Sequence, residues 1–127
     1  ARLTELLGDE DAGVRWWAAT GLAMRQGSGF PVARSLVALF SDPAPWVRVA
    51  AADTLCRQDR WDLALPVLIQ AMSDENDWVR LAAINVLDRL GGRVAAAEPT
   101  IRAALDDRND YVKRTAQHAI EAFIAQP

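Results

Sequence analysis

One cysteine, one histidine and one tyrosine occur in the 127 residues, and each scarcity removes a class of chemistry. A lone thiol, Cys56, cannot build an internal disulfide framework, and it does not decide a redox compartment. His118 has no cysteine or second histidine near it at a metal-ligand spacing, and the acidic residues form no EF-hand loop with its glycine and closing glutamate. No metal is therefore expected. Gly-rich phosphate loops are missing too, and Gln26-Gly27-Ser28-Gly29 reads as a linker. No apolar run approaches the roughly 20 residues of a transmembrane helix, so a membrane is not an expected partner.

A dominant charge of one sign is also absent. Fourteen Lys and Arg are interspersed with 17 Asp and Glu, for a net charge of −3. No basic stripe is available to neutralise phosphates, which argues against nucleic acid as a partner. The chain opens at Ala1 without a Met and reads as a piece of a longer protein, so the missing targeting segment says nothing about compartment. Its length suits a single domain, residues 1–127, that buries roughly two thirds of its unfolded surface.

What the sequence does contain is a repeat. Setting Val14, Val47, Val79 and Val112 in register gives spacings of 33, 32 and 33 residues. One position on stand Arg15, Arg48, Arg80 and Lys113; four on, Ala18, Ala51, Ala83 and Ala116; eight on, Leu22, Leu55, Leu87 and Ile120. Upstream, Leu3, Leu36, Leu68 and Ile101 each precede Leu7, Phe40, Met72 and Leu105 by four residues. Both spacings place apolar residues on one face of a helix, so each repeat is two helices. The turns between them are rich in Pro, Asp and Asn, and Asp77 and Asp110 are expected to cap the second helices of repeats three and four. Repeats of approximately 1–26, 27–58, 59–91 and 92–127 follow. Small alanines let neighbouring helices approach closely, and no repeat can bury its apolar face alone.

Five residues before each Val stands an aspartate: Asp9, Asp42, Asp74 and Asp107. With Arg15, Arg48, Arg80 and Lys113 these form an expected structural ladder. Each Asp can accept backbone N–H bonds at the next helix start and meet a base from its own or an adjacent repeat. Trp46, Trp78 and Tyr111, immediately before the Val, are expected to pack at the start of each second helix, and Trp61 in the connector. Trp16 and Trp17 differ, because their columns hold Val49, Leu81 and Arg114, and Ala50, Ala82 and Thr115. Arg114, Thr115 and Gln117 give the last repeat a polar outer face, whereas the first has none and its first helix looks cut short at Leu3. Trp16 and Trp17 are the candidate interface with another domain. His118 shares a column with Thr20, Asp53 and Asn85 and reads as a polar surface residue.

The turn Asp, the Val-Arg pair and the following Ala and Leu, as in Asp42, Val47, Arg48, Ala51 and Leu55, resemble HEAT repeats, in particular the short HEAT-like type associated with phycobilisome lyases. The resemblance implies an all-α, right-handed α-solenoid of four two-helix HEAT-like repeats. A narrower resemblance lies in LLGDEDAGVRWWAATGL, DPAPWVRVAAADTL, WVRLAAINVLDRLG and NDYVKRTAQHAI, which are similar to the helical region following the catalytic domain of some bacterial sulfatases. It implies an accessory segment of an exported, periplasmic or extracellular enzyme. The sulfatase Cys-x-Pro-x-Arg motif is not carried over, because Cys56 to Arg60 has Gln58 in place of the Pro. No catalytic, cofactor-binding or metal residue is assigned.

The function expected is a non-catalytic scaffold that binds protein, foremost an adjacent domain at its N-terminal end, accessory to a sulfatase-like hydrolase. The alternative is a free-standing HEAT-like enzyme or enzyme subunit. A bilin lyase would lack any nameable bilin-handling residue, and a DNA glycosylase would have the acidic balance against it.

Overall fold

Turn residues cut the chain into short helices. The computed structural model describes residues 5–23, 30–93 and 95–124. Its α-helices are α1 (Ala12–Ala23), α2 (Phe30–Ala38), α3 (Pro45–Arg57), α4 (Trp61–Ala71), α5 (Asp77–Leu90), α6 (Glu98–Ala103) and α7 (Asp110–Ile124). Short 3₁₀ turns extend α2 over Leu39–Ser41 and α6 over Ala104–Asp106. No strand occurs among the described residues. The expected linker at 26–29 and the start of the first helix at Leu3 lie outside the described residues.

The chain divides into two compact units, residues 1–67 and 68–127, with the boundary inside α4. In unit 1, α3 packs against both α1 and α2. In unit 2, α7 packs against both α5 and α6. The alanine column explains how the second helices approach: Ala18, Ala51, Ala83 and Ala116 are all fully buried. Around them Leu22, Leu55, Leu87 and Ile120 are buried, as are Leu36, Leu68 and Ile101 from the first helices. Each fully buried Leu or Ile stabilises the fold by about 1.5–3 kcal/mol relative to exposure. Val47, Val79 and Val112 are buried, whereas Val14 in the first repeat is only half-buried.

The helix starts correct one expectation. Asn76, not Asp77, caps α5, its side-chain oxygen accepting the Trp78 amide at 2.8 Å. Asn109 does the same for α7, accepting the amides of Tyr111 at 2.9 Å and Val112 at 3.1 Å. A cap side chain must sit outside the first turn to reach the second or third amide, and Asp77 and Asp110 are already helical. Helix ends differ between the units. Asp59 follows α3 at φ 61°, with Asp59 N bonded to the Cys56 carbonyl and Arg60 N to that of Leu55, a Schellman closure with a non-glycine residue in the left-handed position. In unit 2 the residue after α5 is Gly91, at φ 62° and ψ −151°, a conformation open essentially to glycine alone.

Candidate functional site: the aspartate-arginine turns and the aromatic faces

All four periodic aspartates do the same local job. Asp9, Asp42, Asp74 and Asp107 each accept the amide two residues on, from Asp11, Ala44, Asn76 and Asn109, at 2.9 Å in every case. The carboxylate thus imitates a turn of backbone and fixes the angle at which the second helix begins. The arginines lock the same turn from the other side. Arg15, Arg48 and Arg80 each donate Nη1 to the carbonyl of the aspartate six residues earlier, at 2.8, 2.6 and 2.8 Å.

In each unit one guanidinium also reaches the following repeat. Arg15 donates Nε and Nη2 to the two carboxylate oxygens of Asp42, at 2.6 and 3.1 Å. Arg80 grips Asp107 in the same way, at 2.9 and 3.0 Å. A planar fork serves both purposes at once, holding its own turn with one nitrogen and the next turn with the other two. Lys113, half-buried in the fourth repeat, is a point charge that cannot reproduce that geometry. Arg80 carries more, since it also donates to Asp77. Arg108 joins that network through Asp77 Oδ1 at 3.3 Å and the Glu75 carbonyl at 2.8 Å.

Ionisation follows the geometry. The hydrogen bond from Arg80 holds the Asp107 carboxyl below its ordinary value against the cost of burial, and the Arg80 guanidinium is raised in return. Burial works against charge on Asp42, but the Arg15 fork, the Ala44 amide and the nearby Arg48 outweigh it and keep that carboxyl low as well. Asp77 is lowered first by its bond from Arg80. Away from the turns, His118 places Nδ1 at 2.8 and 3.0 Å from the two oxygens of Asp88, joining α7 to α5. That contact raises its pKa although the ring is mostly exposed.

The aromatic residues face water. Trp78 is 66%, Tyr111 59% and Trp46 47% exposed, which overturns their expected packing role. Each stands one residue before a buried Val, and one residue is about 100° of helix rotation. Trp61 begins α4 and is half-buried. Trp16 and Trp17 meet edge to face, ring centroids 5.7 Å apart, with exposures of 36% and 69%. Arg114 and Gln117 are exposed, and Thr115 turns its hydroxyl to the Tyr111 carbonyl at 2.9 Å. Among the described residues no three His, Cys, Asp or Glu side chains are placed to hold a metal ion, and no helix is long and apolar enough to cross a membrane.

The model of the family described as HEAT repeats matches residues 32–121. The chain belongs to the HEAT repeat family. Its fold class is the all-α solenoid type expected from the repeat. Among solved structures it is similar to an engineered protein known from a crystal structure, with a TM-score of 0.70 at 15% identity. The alignment covers 99% of this chain and 62% of that one, so the chain spans about 62% of the neighbour's length. At that identity the likeness speaks for the fold. No curated protein is significantly similar in sequence.

Sequence reasoning missed four members of this HEAT surface, Trp46, Trp78, Tyr111 and Arg108. Trp78 and Tyr111 were read as packing, although the recurrence of Asn-Asp-aromatic-Val at 76–79 and 109–112 marks a position set by its cap and not by the core. Arg108 carries no periodic signal, because it extends one turn and has no equivalent in the other three.

Proposed function

We propose that this HEAT chain is a non-catalytic scaffold that binds protein, and that an adjacent domain of its parent polypeptide docks over Trp16 and Trp17. The observation that carries the reading is the solvent-facing indole pair, where inner repeats place Val49 and Ala50 or Leu81 and Ala82. Covering apolar surface is worth about 25 cal/mol per Å², and tryptophans are the commonest anchors of protein interfaces. The family membership supports an interaction role in general. The resemblance of residues 6–22 and their equivalents to the region following the catalytic domain of some bacterial sulfatases supports a sulfatase-like hydrolase as the parent, and with such a parent the protein would work in the periplasm or outside the cell.

The test pairs residues 1–127 with the domain encoded upstream in the same reading frame, using wild type and the double variant Trp16→Ser, Trp17→Ser. Sedimentation and acrylamide quenching are expected to show a complex that shields both indoles and that the variant weakens at least about tenfold. A chain whose mass and quenching do not change when the upstream domain is added would overturn the proposal.

A further inference from the structure

The turn end of unit 2 carries a feature that the N-terminal docking surface does not use. Asn76-Asp77-Trp78-Val79 and Asn109-Asp110-Tyr111-Val112 adopt the same local structure: Asn caps, Asp opens the helix, the aromatic projects into water and Val enters the core. α5 packs against α7, and Trp78 and Tyr111 occupy the same position, the second residue, of these two neighbouring helices. Segments 73–78 and 106–111 hold six carboxylates, and among the described residues the guanidiniums of Arg80 and Arg108 bond to them. With Lys113 and Arg114 included, segments 73–80 and 106–114 hold six acids and four bases, a net charge of −2 at this end.

That surplus is localised. Asp107 is taken by Arg80, Asp77 by Arg80 and Arg108, and Asp74 by the Asn76 amide. Glu75, Asp106 and Asp110 are exposed and enter no ion pair among the described residues. Glu75 lines an open groove of about 330 Å³ together with Ser73, Asp74, Arg80, Asp107 and Arg108, and Asp106 is the chain neighbour of Asp107 there. Lys113 and Arg114, two and three residues after Tyr111, mark where the acidic zone stops along α7.

We propose that this end binds a basic segment of a partner protein, with arginine or lysine side chains lying on Trp78 and Tyr111 and Glu75, Asp106 and Asp110 as their counter-charges. Aromatic faces attract cations, guanidinium above all, and an electronegative rim raises the encounter rate of a basic chain while rejecting acidic ones. A peptide in the polyproline-II conformation rises about 3.1 Å per residue with three residues per turn, so basic side chains three apart lie on one face about 9 Å apart, the scale on which neighbouring helices are spaced. The inference rests on the reading of the chain as a protein-binding scaffold and names the chemistry of a second partner.

The test titrates ¹⁵N-labelled residues 1–127 with the octapeptide Gly-Ser-Arg-Gly-Ser-Arg-Gly-Ser and with versions carrying Glu or Gln for both Arg. The Trp78 indole signal is assigned through Trp78→Phe. The arginine peptide alone is expected to shift that signal, with affinity falling at least about tenfold between 20 and 300 mM salt. Tyr111→Ala is expected to weaken binding about two- to fivefold, and Glu75→Gln with Asp110→Asn by more. These side chains are exposed, so folding is preserved, and unchanged amide spectra elsewhere check it. An unmoved Trp78 indole, or equal binding of the Gln or Glu peptide, overturns the proposal. If the upstream domain still binds at Trp16 and Trp17, only this inference falls; if neither binds, the scaffold reading falls with it.

Discussion

The Arg15 turn of unit 1 and the Arg80 turn of unit 2 begin from the same signature and end with different amounts of charge. Arg15 meets one buried carboxylate, that of Asp42. Arg80, with a side chain only 8% exposed, is shared by Asp107 and Asp77, and Arg108 comes in from outside to rebalance the second carboxylate. The helix seams differ in the opposite sense. In unit 1 the buried Thr54 hydroxyl of α3 shares its one proton between the Ala19 carbonyl of α1 at 2.7 Å and the Ala50 carbonyl of its own helix at 2.9 Å. The same column in unit 2 holds Val86 and Ala119, which are apolar. One unit joins its repeats with a single ion pair and a neutral hydrogen bond, the other with a charge network beside a dry seam. Similar repeats therefore need not respond alike to salt, pH or mutation.

The largest expected effect tests the network directly. Arg80→Ala strands the buried Asp107 carboxylate and leaves Asp77 paired with Arg108, and is expected to cost about 3–5 kcal/mol, read as lost hydrogen-exchange protection in α5 and α7. Arg15→Ala is expected to cost less, because Arg15 serves one carboxylate, and Arg48 stays near Asp42, which keeps its turn amide as Asp107 does. A larger loss for Arg15→Ala would reverse the comparison. Next come the helix ends. Gly91→Ala meets no neighbouring atom within 4 Å, so its expected loss of about 1–3 kcal/mol is backbone strain alone. At the matching end in unit 1, Asp59→Gly is expected to stabilise by roughly 0.5 kcal/mol, the relief of a left-handed aspartate less the extra freedom of an unfolded glycine.

Smaller still is Thr54→Val, which makes the unit 1 seam resemble unit 2. The expected loss is about 1 kcal/mol, since the shape is kept and the Ala19 carbonyl loses a donor. A neutral outcome in thermal melts would mean that the hydroxyl only satisfies its own helix through Ala50. The smallest effect is on pH. The depressed carboxyls of Asp42 and Asp107 contribute stability that is present above their ordinary 3.8 and lost as pH falls through their lower folded values. His118 behaves oppositely: its raised value gives a contribution fully present below 6.5 and lost as pH rises through the folded pKa. Exchange protection in α5 and α7 should therefore decline slightly on the alkaline side, and His118→Gln should remove that slope. Unit 1 contains no histidine and should show none.

The hairpins were legible because burial repeats with the helix period: every member of the alanine column is fully buried, and the Val and Leu columns need only one exception, Val14. The turn aspartates and their bases were legible as a spacing. Which carboxylate each arginine grips was not, since own and neighbouring repeats offer the same residue types and three-dimensional distance decides between them. Helix caps were misassigned because Asn and Asp cap equally well in a list of residues, and a shift of one position changes the role. The exposed aromatics were misread for a related reason. A Trp beside a core Val looks apolar by composition, while a single step of helix rotation turns it outward.

Both inter-repeat forks span 27 residues, from Arg15 to Asp42 and from Arg80 to Asp107. The contact is directional, with the earlier hairpin supplying the cation and the later one the anion. Recombination or design that shuffles hairpins would thus preserve a buried match only if donor and acceptor segments kept that offset. A shuffled hairpin out of phase would confront a sequestered charge with nothing to neutralise it.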